Sequence, residues 1–470
     1  MKGKIKMKRC LISLVSLMLV LVMMFSISSC APAAPKVDAD ALFAAVVGDD
    51  DAALDVEFET LAVAPVVSEP VVDVEVADND LVDPTPATEG LKFRIASSGE
   101  YAYVFCYVGT SPDVYIPYAY EGLPVVAIGY GVFDGSFVTS VTLPDTLVEI
   151  GDYAFRNSAI RSFNVPKSLE VIAPRAFLGA GELDTITVDA ENETYTAAGN
   201  CLVKGDTVVL AGKSAVIPTD ASVTAIGAYA LSGRNIGEFT VPANITTLGK
   251  GVFAECEELR SVVIPDSVTA IPDLAFLRCV NLSTYNTVTP TTLNLSSTVE
   301  SIGLRAFSGC KKLTSVIIPK CYTIGSYAFE LCAALRTVEI GEGLYEIGTA
   351  AFKNCGMLEE IVIPNSTVIL GAAAFWNCSS LKYASLGTDD TCKLNQIGGA
   401  CFFNCIILRP IFIPVSVEVI GTSLFDLCKY PGNADGEPAF KIYCEAKSSQ
   451  LNWAPSWASQ CEVVYNSLRP

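Results

Sequence analysis

From Val126 onward, apolar and polar positions along the chain recur with a spacing that is mostly 22 or 23 residues. The unit is clearest in Cys310-Lys-Lys-Leu313-Thr-Ser-Val316-Ile-Ile318-Pro319, followed by Ile324-Gly325-Ser-Tyr-Ala328-Phe329. Its aromatic position can be followed through Phe133, Phe155, Phe177, Leu231, Phe253, Phe276, Phe307, Phe329, Phe352, Phe375, Phe402 and Phe425, each with an Ile or Leu five residues before it. Spacings of 54 before Leu231, 31 before Phe307 and 27 before Phe402 mark insertions or degenerate units. The Leu-x-x-Val-x-Ile segment alternates at its end, which predicts a short strand with one face inward. Proline after it, as at Pro265 and Pro364, lacks an amide donor and ends the strand. The glycine beside the inward Ile, present in ten of twelve units, is expected to permit a tight corner. The Ala-Phe pair should then pack on the opposite wall as a helical or 3-10 turn. No unit can bury its apolar edge alone, so neighbours must stack.

A period in the twenties with this leucine spacing signifies a leucine-rich-repeat solenoid. The expected fold class is therefore α/β: a right-handed stack of about thirteen coils, roughly 60 Å long at the usual strand spacing, with short parallel strands and short helical or 3-10 turns. These residues also carry a family likeness. From about Thr88 to Pro470 the chain resembles the BspA-type leucine-rich repeats of bacterial surface proteins. The lead-in from Glu89 to Pro117, then Tyr120-Glu-Gly-Leu-Pro124, resembles that family's first coil. Asn192-Glu-Thr-Tyr195 through Asn200-Cys-Leu-Val resembles its inserted hairpin, and Ile442-Tyr443-Cys444 through Trp453, Trp457 and Cys461 its terminal coil. The resemblance implies export, and for some members adhesion to host proteins or other cells. Leu231 in place of Phe, the stretch Asp145 to Lys204 without repeat cysteines, and the ragged stretch Asn281 to Val299 depart from the pattern.

The first thirty residues read differently. Lys2, Lys4, Lys6, Lys8 and Arg9 precede an apolar run from Cys10 to Ile27, which ends in Ile27-Ser28-Ser29-Cys30. A basic start, an apolar core and small residues before a cut describe a secretory signal over 1–29. The ending resembles a bacterial lipobox, so Cys30 is expected to be acylated and to become the mature N-terminus, holding the protein on a membrane through its acyl chains alone. Between Ala31 and Gly90 stand fifteen Asp or Glu and one Lys, a net of 1 − 15 = −14, among scattered prolines. Repulsion and proline favour an extended tether over 30–88. The solenoid is expected over 89–437, with a hairpin-like insertion at about 189–215, and a capping coil over 438–470.

Composition narrows the function. The formal net charge of −20 disfavours nucleic acid, whose phosphates need basic partners. There is no histidine, which removes Ser-His and Cys-His nucleophile pairs, imidazole ligands and the usual near-neutral base. No paired acids stand within the repeats to hydrolyse a glycoside. No enzyme, cofactor or metal is expected. Cys256, Cys279, Cys310, Cys332, Cys355, Cys378, Cys405 and Cys428 each lie three residues after the repeat aromatic. Stacked one per coil, they line an inner wall as small hydrophobes, and parallel Cβ vectors keep them too far apart for bridges. Cys444 and Cys461 stand outside that phase and form a candidate disulfide closing the end coil, with a gain of around 3 kcal/mol in the entropy model.

What remains is a binding surface. The exposed strand face is the largest regular surface of a solenoid. Its outward residues run from Thr142, Asn164, Thr187 and Thr240 to Val263, Ile317, Glu339, Val362, Ser385 and Phe412, so apolar character gathers late. One step after the repeat leucine lie Arg161, Arg260, Arg336, Lys382 and Arg409, a broken basic row. The expected partner is an extracellular protein or glycan. A passive spacer or surface-layer role is the alternative, in which β-branched residues simply suit strands and long bases shield their edges.

Overall fold

The computed structural model of the chain describes residues 83, 85–285, 292–387, 389–429, 440–446, 453–454, 456–458 and 461–467. The signal segment, Cys30 and nearly all of the tether lie outside the described residues. Among the described residues two compact units are present, one of the residues up to Arg156 with Ser168–Ala176, the other of Asn157–Lys167 with the residues from Phe177 onward.

In the first unit, Leu91–Ile95 pairs antiparallel with Ala102–Tyr107, and Leu123–Ile128, Glu149–Ile150 and Val171–Ile172 continue the sheet in parallel. A second wall pairs Asp113–Tyr115 with Ser140–Thr142. Asp83 is fastened to this unit. Its carboxylate accepts from the Tyr115 hydroxyl and the Tyr118 amide, both at 2.9 Å.

The second unit repeats one plan. One sheet runs through Glu238–Thr240, Ser261–Val263, Thr284–Tyr285, Thr292–Asn294, Ser315–Ile318 and Thr337–Ile340. A second runs through Ala270–Ile271, Ser301–Ile302, Thr323–Ile324, Glu346–Ile347, Ile369–Leu370, Gln396–Ile397 and Val419–Ile420. All pairings in both are parallel and in register, as Ser315↔Thr337 and Ile324↔Ile347 show. The 31-residue spacing before Phe307 adds a rung to one wall only. Tyr285 pairs with Leu293 in the first sheet, while Ile271 pairs directly with Ile302 in the second. Within the 54-residue spacing, Thr196–Ala198, Cys201–Lys204 and Thr207–Ala211 pair antiparallel before rejoining the parallel stack through Ala225–Ile226.

The expected helical or 3-10 turn is absent: no helix occurs among the described residues. The reason lies in how the Ala-Phe segment spends its amides. Ala328, Glu330 and Cys332 donate back three residues, to Gly325, Tyr327 and Phe329. The alternate amides of Tyr327, Phe329 and Leu331 donate instead to Thr349, Ala351 and Lys353 of the next coil at 2.8 to 2.9 Å. A helix would consume both sets internally, leaving nothing to bind the neighbouring coil. Left-handed φ values of 57° at Tyr327 and 59° at Leu331 reset the chain between turns, which no right-handed helix allows. The wall is thus a chain of tight turns stitched from coil to coil.

The corner glycines serve proximity. Gly348 and Gly371 have no left-handed φ, but a Cβ on Gly348 would lie 2.6 Å from the Ser326 amide nitrogen and one on Gly371 2.5 Å from the Gly348 carbonyl carbon. The backbones of successive coils meet there, and any side chain would push them apart.

Inside, the repeat aromatics stack. Phe253, Phe276, Phe307, Phe329, Phe352, Phe375 and Phe402 are wholly buried, with neighbouring centroids 5.1 to 5.4 Å apart. The cysteines form a parallel row. Each of the eight thiols donates to the carbonyl of the repeat aromatic, or of Leu231, one coil earlier, at 3.0 to 3.3 Å. Cysteine is therefore a donor as well as a small hydrophobe at this position. Burial pushes the Cys332 and Cys378 thiols up to about 12. Both are also wholly enclosed, so they are unreactive in the folded chain.

Two residues extend the row. Arg234 holds the cysteine position of the coil built on Leu231, and its Nη1 donates to the Phe177 carbonyl at 3.2 Å and to Ala180 and Ser232 at 3.0 Å. At the other end the Cys461 thiol faces the Phe425 carbonyl at 3.9 Å. Cys461 thus continues the row, and the expected Cys444–Cys461 bridge is not formed: both are thiols. Register explains it. Ile442 pairs with Val463 and Tyr443 with Val464, so Cys461 stands four strand residues from the point opposite Cys444. That offset is about 13 Å along the strands, well beyond disulfide reach.

Candidate binding face

Outward side chains on the strand wall of the second unit, which runs from its first sheet on to Glu360–Ile363, Tyr383–Leu386 and Ile411–Ile413, arise from alternation. In Glu360–Ile363 the residues read exposed, buried, exposed, buried. Parallel register then aligns equivalent positions into rows. Ile317 lies level with Asn294 on one side and Glu339 on the other, Val362 with Ser385, and Phe412 with Tyr443. Val263, level with Thr240, is 42% exposed and Val362 48%, while Ile317 and Phe412 are half-buried. Early in the row, the Thr187 hydroxyl donates to Asn164 at 2.9 Å, a polar cross-strand rung.

The basic row is largely answered from within. Arg336 Nη1 lies 3.1 Å from Glu359, and Lys382 Nζ lies 3.7 Å from the other oxygen of the same carboxylate. Glu359 occupies the equivalent position one coil between them, so three successive rungs alternate in sign. Arg260 pairs with Glu258 at 3.5 Å. Arg409 lies over the Tyr383 ring, 4.6 Å from its centroid, and hydrogen-bonds its hydroxyl. Exposed pairs like these contribute about 0 to 1 kcal/mol each, so the row shapes the surface more than it stabilises it.

Sequence reasoning passed over Tyr383. It is 50% exposed at the first outward position of Tyr383–Leu386, flanked by Lys382 and Arg409. The period alone could have found it, because four-residue strands such as Glu360–Ile363 and Tyr383–Leu386 have two outward positions and only one was followed. Met357, Ile406 and Val415 are likewise exposed on the later coils, Val415 at 68%. The structure therefore gathers Val362, Lys382, Tyr383, Arg409 and Phe412 on three successive coils, and leaves Arg260 and Val263 several coils away. Among the described residues no group of His, Cys, Asp or Glu could hold a metal ion, and no helix is long and apolar enough to cross a membrane.

Known proteins carry the same repeat. The model of the BspA type leucine rich repeat region matches residues 102–201, 213–298, 284–323 and 300–431, together more than half of the chain. The chain belongs to the BspA-type leucine-rich-repeat family. Among solved structures, the pneumococcal vaccine antigen PcpA is similar in fold, with a TM-score of 0.51 at 14% identity over 81% of this chain and 98% of that one. A leucine rich cell surface protein from Faecalibacterium prausnitzii aligns at 23% identity over 66% and 96%, with a TM-score of 0.36. A leucine-rich repeat protein from Eubacterium ventriosum aligns at 21% over 67% and 76%, with a TM-score of 0.42. No curated protein matches. In this BspA-type chain the ladder cysteines, stacked phenylalanines and corner glycines recur with the repeat, and what varies from coil to coil is the outward row.

Proposed function

We propose that this protein is exported, held on a bacterial membrane by acyl chains at Cys30, and binds an extracellular protein or glycan through the strand face of its later coils. The observation that carries the reading is the exposure of Val362 and Tyr383 beside Lys382 and Arg409 on a regular sheet surface. Exposed apolar side chains rimmed by charge are what interaction sites present. The cell-surface description of the Faecalibacterium protein agrees with export, as does the basic-apolar-Cys30 leader. No catalytic role is assigned.

The mature chain from Cys30 to Pro470 should bind a member of an array of matrix proteins and glycans, and a V362S/Y383S double variant should lose that binding while melting like the parent. Binding unaffected by the double variant would remove this face from consideration. The internal pairing of the basic row through Glu359 favours the second reading, a passive spacer. An array with no binder would support it. The anchor is tested separately: labelled palmitate should enter the parent chain and not Cys30→Ala.

A further inference from the structure

The thiol row is closed everywhere except at its end. From Cys256 to Cys405 all seven thiols are wholly buried, and each lies between coils on both sides. Cys428 is the first with any exposure, at 7%, and Cys461 is partly exposed. Both face the same kind of acceptor, the carbonyls of Phe402 and Phe425, one coil apart. One coil spacing puts the two sulfurs about 5 Å apart. They are near enough that ionising one thiol opposes ionising the other.

We propose that Cys428 and Cys461 are an oxidisable pair that staples the terminal coil to the body of the solenoid. Inner rungs cannot follow, because their parallel Cβ vectors are fixed by coils above and below and a bridge needs the Cβ atoms to approach to roughly 3.8 Å. Among the described residues the last rung has a neighbouring coil on one side only. Its contact to the carbonyl, at 3.9 Å, is already longer than the 3.0 to 3.3 Å of the eight before it. A short displacement of the end coil is sufficient to close the gap.

The oxidant is a low-molecular-weight disulfide. The Cys461 thiolate attacks one sulfur of that disulfide, forming a mixed disulfide and releasing one small thiolate, which takes up the proton Cys461 gave away. The Cys428 sulfur then attacks the Cys461 sulfur, and the second small thiol leaves with the Cys428 proton. Two protein thiols are oxidised by two electrons and one small disulfide is reduced to two thiols. Burial pushes Cys461 up to about 11 and Cys428 to about 12, so the reaction is slow at neutral pH and accelerates as pH rises.

The full mature chain, folded, should be treated with oxidised glutathione at pH 8.5, then unfolded, alkylated and mapped. The expected product is 2 mass units lighter and yields a Cys428–Cys461 peptide, with Cys256 to Cys405 fully alkylated. Hydrogen exchange across residues 440–467 should slow on oxidation and recover on reduction. Cys444→Ser should cross-link normally and Cys461→Ser not at all. Glutathione retained on Cys461 without transfer to Cys428 would overturn the proposal, as would a Cys444–Cys461 or Cys405–Cys428 peptide, or no oxidation at all.

Discussion

The Arg234 guanidinium reaches the Phe177 carbonyl, 57 residues earlier in the chain, at 3.2 Å. It does across the 54-residue spacing what a cysteine thiol does between ordinary coils, donating to the carbonyl of the preceding repeat aromatic. The longer side chain is needed because the inserted hairpin passes close by, and Arg234 Nε ties that hairpin in through the Ala211 carbonyl at 2.9 Å. The guanidinium is 1% exposed with no carboxylate among these partners, and burial pushes its pKa down to about 10.

Removing this side chain should be among the most damaging single changes. Arg234→Ala leaves the carbonyls of Ala180 and Ala211 without their side-chain donor and opens a void, with an expected cost on the order of 3–4 kcal/mol. Arg234→Lys should not restore it, because a point ammonium cannot address carbonyls in several directions as a planar fork does. Urea denaturation decides. A lysine variant as stable as the parent would show that charge alone suffices there.

The thiol row makes stability fall with alkali. Cys378 has an ordinary value of 9.0, and burial raises it to about 12 in the fold. Between these values the folded state keeps a proton that the unfolded chain has lost, so stability is fully present below pH 9 and declines as pH rises toward 12. One thiol contributes at most about 1.4 kcal/mol per pH unit to that slope. Cys378→Ala should be less stable at pH 7 yet flatter from pH 9 to 11 in urea midpoint. An unchanged slope would mean the thiol ionises as easily folded as unfolded.

The period, the twelve aromatic positions, the strands and the buried cysteine row were legible because each depends on residue type at fixed spacing. The turn wall was not. Ala-Phe flanked by polar residues fits a helical turn as well as a pair of tight turns, and what decides between them is the amide partner on the next coil, which spacing does not reveal. Left-handed positions were equally hidden. One set falls two residues after every repeat aromatic, where Gly135, Gly179, Gly233, Gly309 and the asparagines 157, 354, 377 and 404 announce it, whereas Glu255, Arg278, Leu331 and Leu427 do not. Cys461 escaped because the terminal coil departs from the sequence phase while keeping the spatial one. On the strand face, alternation gave the outward positions, but the sharing of Glu359 by Arg336 and Lys382 depends on side-chain conformation.

Relief of backbone strain should be measurable at Leu427. Its φ is 66° and its side chain is 42% exposed, so little packing is lost on truncation. A non-glycine residue in this region costs about 1–2 kcal/mol, against roughly 0.5–1 kcal/mol for the extra freedom glycine gives the unfolded chain. Leu427→Gly should therefore gain about 0.5–1 kcal/mol by thermal melting, and Leu427→Val should lose stability. A glycine variant less stable than the parent would mean the leucine packs more than its exposure suggests.

The phenylalanine stack should transmit damage in both directions. Phe329 is wholly buried between Phe307 and Phe352, with centroids 5.2 Å away on each side and ring planes within 5°. Truncating a buried aromatic costs on the order of 3–5 kcal/mol, and each neighbouring ring also loses a stacked partner. In a stack of coils each unit is held mainly by its neighbours, so the interfaces on both sides of the void weaken together. Phe329→Ala should lower the melting temperature well beyond any substitution in the acidic segment between Ala31 and Asp83. Its hydrogen exchange should rise in the strands Ser315–Ile318 and Thr337–Ile340 together, while Ile411–Ile413 stays protected. Loss of protection confined to the coil that carries residue 329 would show the coils to be independently stable, and an unchanged melting curve would remove Phe329 from the core.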